Sequence, residues 1–578
     1  ERPDKQHHKK EGWHHHRMKP EIDPLLHSVF KKIGKPARAD FVPDSFQLEA
    51  IEAVKSADCL VTAPTGSGKS TRVPLALLDQ DWLAGRRILM LEPRRPAARL
   101  TAAHMAALLG EDLGETVGYQ VRFERRIGPR TRIEVLTEGI LTRRLQSDPT
   151  LAGVGVVLFD ELHEMNLPAA LGLALTLDVV ANLRPDLRIL AMSATLDAGP
   201  LAALLGGAPL IQASGRPYPV AIRYAERDPG RDWLPALVAT IRQALAGHEG
   251  DLLVFLPGAG EIERLRERLA GLGEQGIEIL PLHGALPVAE QDRVLGGSRD
   301  GRRRLVLATD LAETSLTIPG IGVVVDTGLT RKPRFEPGSG LTRLVTEAIP
   351  LASADQRAGR AGRLGPGICF RLWTRAQEAG RPEHRAPEIL QSDLAPLALE
   401  LALWGVRDPA ALQWLHAPPR PAWEQAVALL IRLGALDAGG YITRLGRAMA
   451  GLPVHPRLAA LLRGAPSDLA GEAADLCALL SERDPWIRRP GEPGSADLGP
   501  RLLALHAFRD RRGPGDMDGR RLAAIDRAAA QLRRLVRGSE GHEQRAIASS
   551  GGLLALAYPD RIAQRRLERE GRYLLAQG

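Results

Sequence analysis

Short apolar runs that end in polar residues alternate with helical stretches between about residues 40 and 216. The runs are DCLVTAP, RRILMLEP, RIEVLTEG, VGVVLFDE and LRILAMSAT. Continuously apolar strands are typical of a parallel sheet that helices cover on both faces. We therefore predict an α/β domain whose functional groups gather where the strands end, at the carboxyl edge of the sheet.

A second set of runs with the same rhythm follows a linker at 214–220 and predicts a second parallel sheet. Its members are DLLVFLPG, IEILPLHG, RRLVLATD, GVVVDTG and GICFRLW. From about residue 376 the pattern becomes Leu- and Ala-rich with helical periodicity. The chain ends in GRYLLAQG, a strand-like run that we expect to lack a pairing partner, so we expect a truncated C-terminus.

Composition and charge favour a globular protein with a polyanionic partner. The 578 residues carry a net charge of +8, and 44% of them are hydrophobic. The three cysteines lie far apart in the sequence, which predicts reduced thiols. No run of eighteen apolar residues and no signal peptide are found, so we expect a cytoplasmic protein without a membrane span.

Three acids surround one histidine in LFDELHEMN, directly after an apolar run. A zinc site of the H-E-x-x-H type needs a second histidine one helical turn after His163, and that position is occupied by Leu167. The alternative is a magnesium-nucleotide site. In it Asp160 holds the metal, directly or through water, and Glu161 polarises the attacking water.

A phosphate-binding loop, which such a site requires, is present in LVTAPTGSGKST at 60–71. Gly66 and Gly68 let backbone N–H groups point at phosphate oxygens, and the following helix adds partial positive charge. Lys69 is placed to reach the β- and γ-phosphates, and the Ser70 hydroxyl is placed to bind Mg²⁺. Ala63 stands where this motif has its first glycine.

Arginines recur at every third residue in SADQRAGRAGRLGPG, at 353–367. On a helix, Arg360 and Arg363 would share a face and reach outward together. Guanidinium groups that point from one domain to a γ-phosphate held by another act as arginine fingers. The second sheet, which has no phosphate loop, is thus predicted to complete the site of the first.

Taken together, these motifs resemble the DEAH-box helicases of superfamily two. The shared segments are APTGSGKST, EPRRPAA, TEGIL, DELHE, SAT, ATDLAETSLTIPGI and QRAGRAGR, in the family's order and spacing. VLTEGILTRRLQSDP and VVDTGLTRKPRFEPGSGLTRL are similar to the HrpB-type branch almost word for word. The resemblance implies an α/β fold with two RecA-like parallel-sheet domains in tandem, then a winged helix and an α-helical bundle that clamp single-stranded nucleic acid.

By position, the resemblance also implies a role for each motif residue, with ATP and Mg²⁺ as ligands. The phosphates of ATP are held by Thr65, Gly66, Ser67, Gly68, Lys69, Ser70 and Thr71. Asp160 and Ser70 bind the magnesium ion, and Glu161 is the base that activates the attacking water. His163 links the ATP state to Ser193 and Thr195. Gln356, Arg360 and Arg363 close the site from the second domain. The backbone of the nucleic acid is contacted by Arg94, Arg95, Thr137 and Thr309.

The expected domain boundaries follow the changes in pattern. They are a leader at 1–39, RecA-like domains at 40–216 and 217–375, a winged helix at 376–450, a helical bundle at 451–545 and the start of a C-terminal domain at 546–578. In the family, the hairpin predicted at 331–347 separates strands. We expect the chain to act as a monomer.

Several positions depart from the family pattern. Leu162 replaces the alanine of the DEAH name, and Asp310 stands where asparagine is more frequent. Pro319 stands where an acidic residue near the nucleotide is common, and His104 aligns with a base-stacking arginine. Gln47 lies upstream of Lys69 at the distance found for the adenine-reading glutamine of DEAD-box helicases, although it could instead simply open a helix.

Three functions compete on this evidence. The first is an ATP-driven translocase that moves 3′-to-5′ on single-stranded RNA, or on DNA, and unwinds duplexes. The second is an RNA-binding clamp that uses ATP only to switch affinity, and the third is a nucleotide-binding scaffold without turnover. Lys69, Glu161 and Arg363 are all intact, which argues against the scaffold.

Overall fold

The apolar runs form two parallel sheets in a computed structural model of the chain. The model describes residues 44–63, 68–121, 124–194, 198–213, 218–297, 301–313, 318–336, 340–487, 495–513, 515–536, 549–565 and 573–575. The leader predicted at 1–39 lies outside these ranges, as do Thr65, Gly66, Ser67 and Thr195.

The first sheet contains eight strands among the described residues, in the order β4-β3-β5-β2-β6-β7-β1-β8. They are β1 Cys59–Thr62, β2 Arg87–Glu92, β3 Val117–Val121, β4 Glu124–Arg126, β5 Ile133–Thr137, β6 Val154–Phe159, β7 Arg188–Ser193 and β8 Leu210–Gln212. Neighbouring strands run parallel except for β3 and β4. Every residue of β6 is buried, as expected for a central strand covered on both faces.

Helices flank this sheet and connect its strands. They are α1 Ser45–Ser56, α2 Lys69–Leu77, α3 Arg95–Leu109, α4 Glu138–Ser147, α5 Leu167–Asn182 and α6 Ala198–Leu204. Helix α2 begins at the phosphate loop, α3 begins three residues after the end of β2, and α4 begins directly after β5. This topology brings the polar residues that follow the strands to one edge of the sheet.

The second sheet has six parallel strands among the described residues, in the order β11-β12-β10-β13-β16-β9. These are β9 Val220–Tyr224, β10 Asp251–Phe255, β11 Ile277–Leu282, β12 Arg303–Ala308, β13 Ile321–Asp326 and β16 Gly367–Arg371. Its helices are α7 Leu234–Gly247, α8 Ala259–Arg268, α9 Val288–Leu295, α10 Leu351–Ala358 and α11 Arg375–Ala379. Between β13 and α10 the chain forms an antiparallel hairpin, from β14 Leu329–Glu336 and β15 Leu341–Ala348.

The remainder of the described chain is mostly helical. It contains α12 Ala395–Trp404, α13 Arg420–Arg432, α14 Arg444–Ala450, α15 Pro456–Gly464, α16 Ala470–Ser481, α17 Gly499–Arg509, α18 Gly519–Val536 and α19 Ser550–Ala557. One continuous apolar core joins these helices to α4 and α5 of the first domain. Trp404 Nε1 donates to Asp178 Oδ2 at 2.8 Å across this contact, so the helical region is fixed to the first sheet domain.

The structure corrects two predictions, one about the C-terminal strand-like run and one about the arginine segment. The strand-like run near the C-terminus does have a partner, since β18 Tyr573–Leu575 pairs antiparallel with β17 Ala563–Arg565. Arg360 and Arg363 do not share a regular helix face. Helix α10 ends at Ala358, and the chain tightens into a 3₁₀ turn at Gly359–Gly362 before Arg363.

Candidate active site

Lys69 lies at the start of α2, where the chain leaves the phosphate loop. Gly68 precedes it with φ of 82°, a left-handed conformation that favours glycine. The Lys69 side chain is buried, and its Nζ lies 3.4 Å from Glu161 Oε1 and 3.8 Å from Asp160 Oδ1. The Lys69 ammonium is thus a buried positive charge that can donate hydrogen bonds to the oxygens of a bound phosphate group.

Asp160 and Glu161 follow directly after β6 at the carboxyl edge of the sheet. The Glu161 amide donates to Asp160 Oδ1 at 2.8 Å, and Glu161 itself has a left-handed backbone. Burial raises the pKa of Asp160 to about 6, against the opposing charge of Lys69. Burial also disfavours ionised Glu161, but the charge of Lys69 and its interaction with the carboxylate outweigh it and hold the pKa of Glu161 below its ordinary value.

The oxygen atoms at this edge suit a magnesium-nucleotide complex. Asp160 Oδ2 is buried and has no hydrogen-bond partner among the described residues, which is costly unless a ligand supplies one. The Ser70 hydroxyl interacts with the same carboxylate and helps to stabilise its charged form. Mg²⁺ bound with a nucleotide needs only one or two protein ligands, and Asp160 and Ser70 supply hard oxygens of this kind.

Glu92, a third buried carboxyl group, lies next to this pair, and sequence reasoning missed it. It ends β2, the strand beside β6, and its Oε1 accepts the Thr101 hydroxyl at 3.0 Å. Burial, followed by the charges of Asp160 and Glu161, raises the pKa of Glu92 well above its ordinary value. The available signal was its position, since an acid that ends an apolar strand lies at the same edge as Asp160.

His163 connects this edge to the second domain. Its Nδ1 accepts the Ala194 amide at 3.3 Å. That Nε2 lies 3.3 Å from Glu161 Oε2 and 3.0 Å from the side-chain amide of Gln356. Burial lowers the pKa of His163, which favours the neutral ring. Ser193, at the end of β7, is buried directly before Ala194.

The arginines of the second domain divide into two roles. Arg357 is fully buried in ion pairs with Glu313 and Asp326, both at 2.9 Å, and therefore serves the interior of its own domain. Arg360 donates through Nε to the Glu313 backbone oxygen at 3.0 Å. Burial lowers the pKa of Arg363 to about 10, and the Glu161 charge across the cleft opposes that shift. Arg360 is likewise within electrostatic reach of Glu161.

Glu313 organises this arginine group, and sequence reasoning missed it too. Its carboxylate contacts Arg357 and, at 3.3 Å, Arg385, while its backbone oxygen holds Arg360. These cations lower the pKa of Glu313 to about 2, although burial opposes ionisation. The available signal was an acid within the motif segment ATDLAETS, although this segment lies 40 residues before the arginine segment 353–367.

The four residues predicted to contact nucleic acid lie at or just beyond strand ends, but their surroundings differ. Arg95 is exposed at the start of α3, Thr137 precedes α4, and the Thr309 hydroxyl faces the Leu311 amide. Arg94 instead bridges the two domains. It donates to the Asp310 backbone oxygen at 3.2 Å and lies 3.6 Å from Glu164 Oε1. A phosphate contact by Arg94 would therefore compete with these protein contacts.

Gln47 is completely buried beside the phosphate loop. Its Oε1 accepts the Asp44 amide at 3.1 Å, which caps α1, and a Cβ added to Gly68 would lie 3.4 Å from its Nε2. Oε1 of Gln47 thus contributes to the cap of α1. His104 is exposed on α3, and partial desolvation by its surroundings, followed by the charge of Arg72, lowers its pKa. No helix among the described residues combines the length and the apolar character that a membrane crossing needs.

Comparisons with known proteins match these features to one family. The model "DEAD/DEAH box helicase" matches residues 44–203 and the model "Helicase conserved C-terminal domain" matches residues 235–365. The winged-helix model "Helicase associated domain (HA2)" matches residues 426–454.

Curated relatives extend this likeness over nearly the whole chain. The chain is 45% identical over 533 residues to ATP-dependent RNA helicase HrpB of Escherichia coli strain K12, covering 91% of this chain and 62% of HrpB. It is 37% identical over 502 residues to HrpA of the same organism, covering 83% of this chain and 38% of HrpA. The chain thus spans less than two thirds of the length of either relative.

Solved structures show the same likeness to HrpB. A crystal structure of the Escherichia coli DEAH/RHA helicase HrpB superposes with a TM-score of 0.78 at 43% identity, covering 92% of this chain and 65% of that one. A second, of the E. coli DExH-box NTPase HrpB, superposes with a TM-score of 0.74 at 42% identity, covering 93% and 64%. The predicted fold class, with two RecA-like domains, a winged helix and a helical region, is confirmed. These matches confirm the resemblance of the chain to the DEAH-box helicases of superfamily two, and to their HrpB-type branch in particular.

Proposed function

We propose that this chain hydrolyses ATP and uses the reaction to move 3′-to-5′ along single-stranded nucleic acid, with RNA favoured over DNA, and to unwind duplexes. The observation that carries the proposal is the arrangement around Glu161. Its carboxylate lies 3.4 Å from Lys69, and Arg360 and Arg363 of the second domain act on it electrostatically across the cleft. Movement of one domain relative to the other therefore changes the charges around the nucleotide.

Within this proposal each group has a definite task. Residues 65–71, with Lys69 among them, bind the phosphates, and Ser70 and Asp160 hold the magnesium that neutralises phosphate charge. Glu161 remains a carboxylate because its pKa is held low, and it is therefore able to accept the proton of the attacking water. Arg363 and Arg360 stabilise the charge that develops on the transferred phosphoryl group.

Communication with the nucleic acid passes through the same residues. His163 contacts Gln356 of the second domain, and its Nδ1 holds the Ala194 amide, which links the ATP site to Ser193 and Thr195. Arg95, Thr137 and Thr309 hold the backbone of the single strand without reading its sequence. Arg94 joins them in competition with its contacts to Glu164 and Asp310. Binding to phosphates should weaken steeply as salt is added.

The competing function is an ATP-switched clamp that binds RNA without separating strands. The buried contacts between the two sheet domains serve a switch as well as a motor. The hairpin β14–β15, which projects from the second domain, favours the motor, because a clamp has no need for a strand-separating element.

A directional unwinding assay distinguishes the two. Duplexes with a 3′ or a 5′ single-stranded tail, in matched RNA and DNA versions, are incubated with the protein and ATP. We expect strand separation only with the 3′ tail, more of it on RNA, and none with a non-hydrolysable ATP analogue. ATP hydrolysis that rises with single-stranded RNA and leaves every duplex intact would instead support the clamp.

A further inference from the structure

The far end of the hairpin β14–β15 is in contact with a segment more than two hundred residues later in the chain. The Arg561 guanidinium donates through Nη2 to the Gly340 backbone oxygen at 2.7 Å. Gly340 closes the turn of the hairpin, since its amide donates to the Glu336 oxygen at 2.8 Å and its φ of 63° is left-handed. Arg561 thus holds the hairpin at its turn.

The hairpin is not part of either large sheet. It is a separate two-stranded sheet, and isolated two-stranded hairpins are marginally stable in water. Leu344, on β15, is 70% exposed, so the ribbon does not bury an apolar face there. The Phe335 amide donates to the Gln391 oxygen at 3.0 Å along one edge. The contact from Arg561 lies beyond that point, at the turn.

The residues around Arg561 fix its own position. It ends a 3₁₀ turn, Pro559–Arg561, that follows α19. The preceding Asp560 forms a buried bidentate pair with Arg457 at the start of α15, with 2.7 Å between Oδ2 and Nη2. Arg457 also donates to the Ala557 oxygen at 3.0 Å. The turn that presents Arg561 is therefore fastened to the helical region by charged hydrogen bonds that are protected from water.

Stacking restricts the side chain further. The Arg561 guanidinium lies 4.9 Å from the centre of the Tyr558 ring, and the Arg457 guanidinium lies 5.2 Å from the same centre. An arginine held against an aromatic ring loses little additional freedom when it donates a hydrogen bond. Arg561 is therefore pre-organised to meet the Gly340 oxygen.

We propose that Arg561 is a positioning residue that braces the turn of the β14–β15 hairpin against the helical region, so that the hairpin withstands the load of a duplex. This rests on the proposed function, in which the hairpin separates strands. A wedge that bends under load lets the motor advance without opening base pairs. Loss of the brace should therefore uncouple ATP hydrolysis from unwinding while leaving the ATP site intact.

Two substitutions and a matched control test the brace in the full chain. Arg561→Ala removes the whole side chain, whereas Arg561→Met keeps an unbranched stem beside Tyr558 and removes only the charge and the donors. Arg565→Ala, at an exposed arginine of β17, is the control. Removal of residues 336–340 marks the complete loss of hairpin function. Melting temperatures identify any variant that fails to fold, and Arg561→Met guards against that failure.

Hydrogen exchange of the amides in 329–348 measures the brace without any reference to unwinding. We expect faster exchange in both Arg561 variants and wild-type exchange in Arg565→Ala. On a 3′-tailed RNA duplex, unwinding by Arg561→Met should fall about tenfold, the effect of one charge-assisted hydrogen bond. ATP hydrolysis stimulated by single-stranded RNA should remain at the wild-type rate.

Each contrary result has a definite meaning. Wild-type exchange in a folded Arg561→Met variant, or unwinding at the wild-type rate, overturns the brace. A parallel loss of ATP hydrolysis and unwinding shows a general structural role instead of positioning. If the wild-type chain separates no strands, the proposed function fails, and so does the role of Arg561 in unwinding. The exchange data still decide whether Arg561 holds the turn.

Discussion

Gln356 Nε2, in the second sheet domain, lies 3.0 Å from His163 Nε2, in the first sheet domain. The same His163 ring lies 3.3 Å from the Glu161 carboxylate through Nε2. A change in the separation of the two domains would therefore change the surroundings of His163, which lies next to Glu161. This contact is the structural basis for the proposal that the two sheet domains share one site.

The first prediction concerns Arg363. Substitution by alanine should lower the rate constant of ATP hydrolysis by roughly 10³-fold or more, the effect typical of an arginine finger. ATP affinity should change little, because the guanidinium acts mainly on charge that develops in the transition state. Rate constants and nucleotide affinities measured separately test this prediction.

Arg242→Ala provides the matched control, since Arg242 is an exposed arginine of the same domain. It should hydrolyse ATP at the wild-type rate. Normal hydrolysis by Arg363→Ala, or a loss of ATP affinity that accounts for all of its slower turnover, would show that Arg363 is not a finger.

The second prediction concerns Gln47. A glutamine amide can pair with N6 and N7 of adenine together but not with O6 and N7 of guanine, which are both acceptors. If Gln47 reads the base, the wild-type chain should prefer ATP over GTP by roughly 5- to 150-fold, and Gln47→Ala should abolish the preference. The measurement is kcat/KM for both nucleotides.

Asp44→Ala separates base reading from helix capping. Asp44 shares the cap of α1 with Gln47, so this variant weakens the cap while it leaves the Gln47 amide in place. We expect lower stability with the ATP preference retained. A wild-type chain that uses both nucleotides equally would reduce Gln47 to a capping residue.

The third prediction concerns pH and Glu138. Burial, together with the neighbouring charges of Glu164 and Glu388, raises the pKa of Glu138 to about 8, although Asn166 donates to its Oε1 at 3.0 Å. Between about pH 4.5 and 8 the folded chain therefore binds more protons here than the unfolded chain does. It follows that the free energy of unfolding contributed by this group falls as pH rises through that window.

Glu138→Gln removes the titration and keeps an oxygen for Asn166. At pH 5 the two proteins should melt at similar temperatures, and at pH 8.5 the variant should melt at least ~2 °C higher. Melting curves at both pH values test this directly. Parallel curves for the two proteins across the whole range would show that Glu138 is ionised in the folded chain.

The fold was predictable because its strands carry their own signal. Continuous apolar runs such as VGVVLF of β6 suit only a covered parallel sheet, and the polar residues after them necessarily meet at one edge. The same rule brings Lys69, Asp160 and Ser193 together, although more than a hundred residues separate the first from the last.

Partners contributed by distant segments were not predictable. Glu313 holds Arg360 through a backbone oxygen, an interaction that has no signature in side-chain chemistry. Arg94 was predicted to contact nucleic acid because of its motif, but its position at the cleft also lets it reach Asp310 of the second domain. Period-three spacing of arginines suggested a helix face, whereas the glycines at 359 and 362 favour the tighter turn that is observed.

Hydrolysis of ATP by Glu161→Gln tests the central claim most directly, namely that the acid after β6 activates water in a site shared by two domains. The amide keeps the shape of the side chain but cannot accept the proton, so the hydrolysis rate should fall by roughly 10²–10⁴-fold. Affinities for ATP and for single-stranded RNA should persist. The control Glu49→Gln, at an exposed residue of α1, should hydrolyse ATP at the wild-type rate. Hydrolysis by Glu161→Gln at a rate near that of the wild type would contradict the catalytic role of Glu161 and the mechanism built on it.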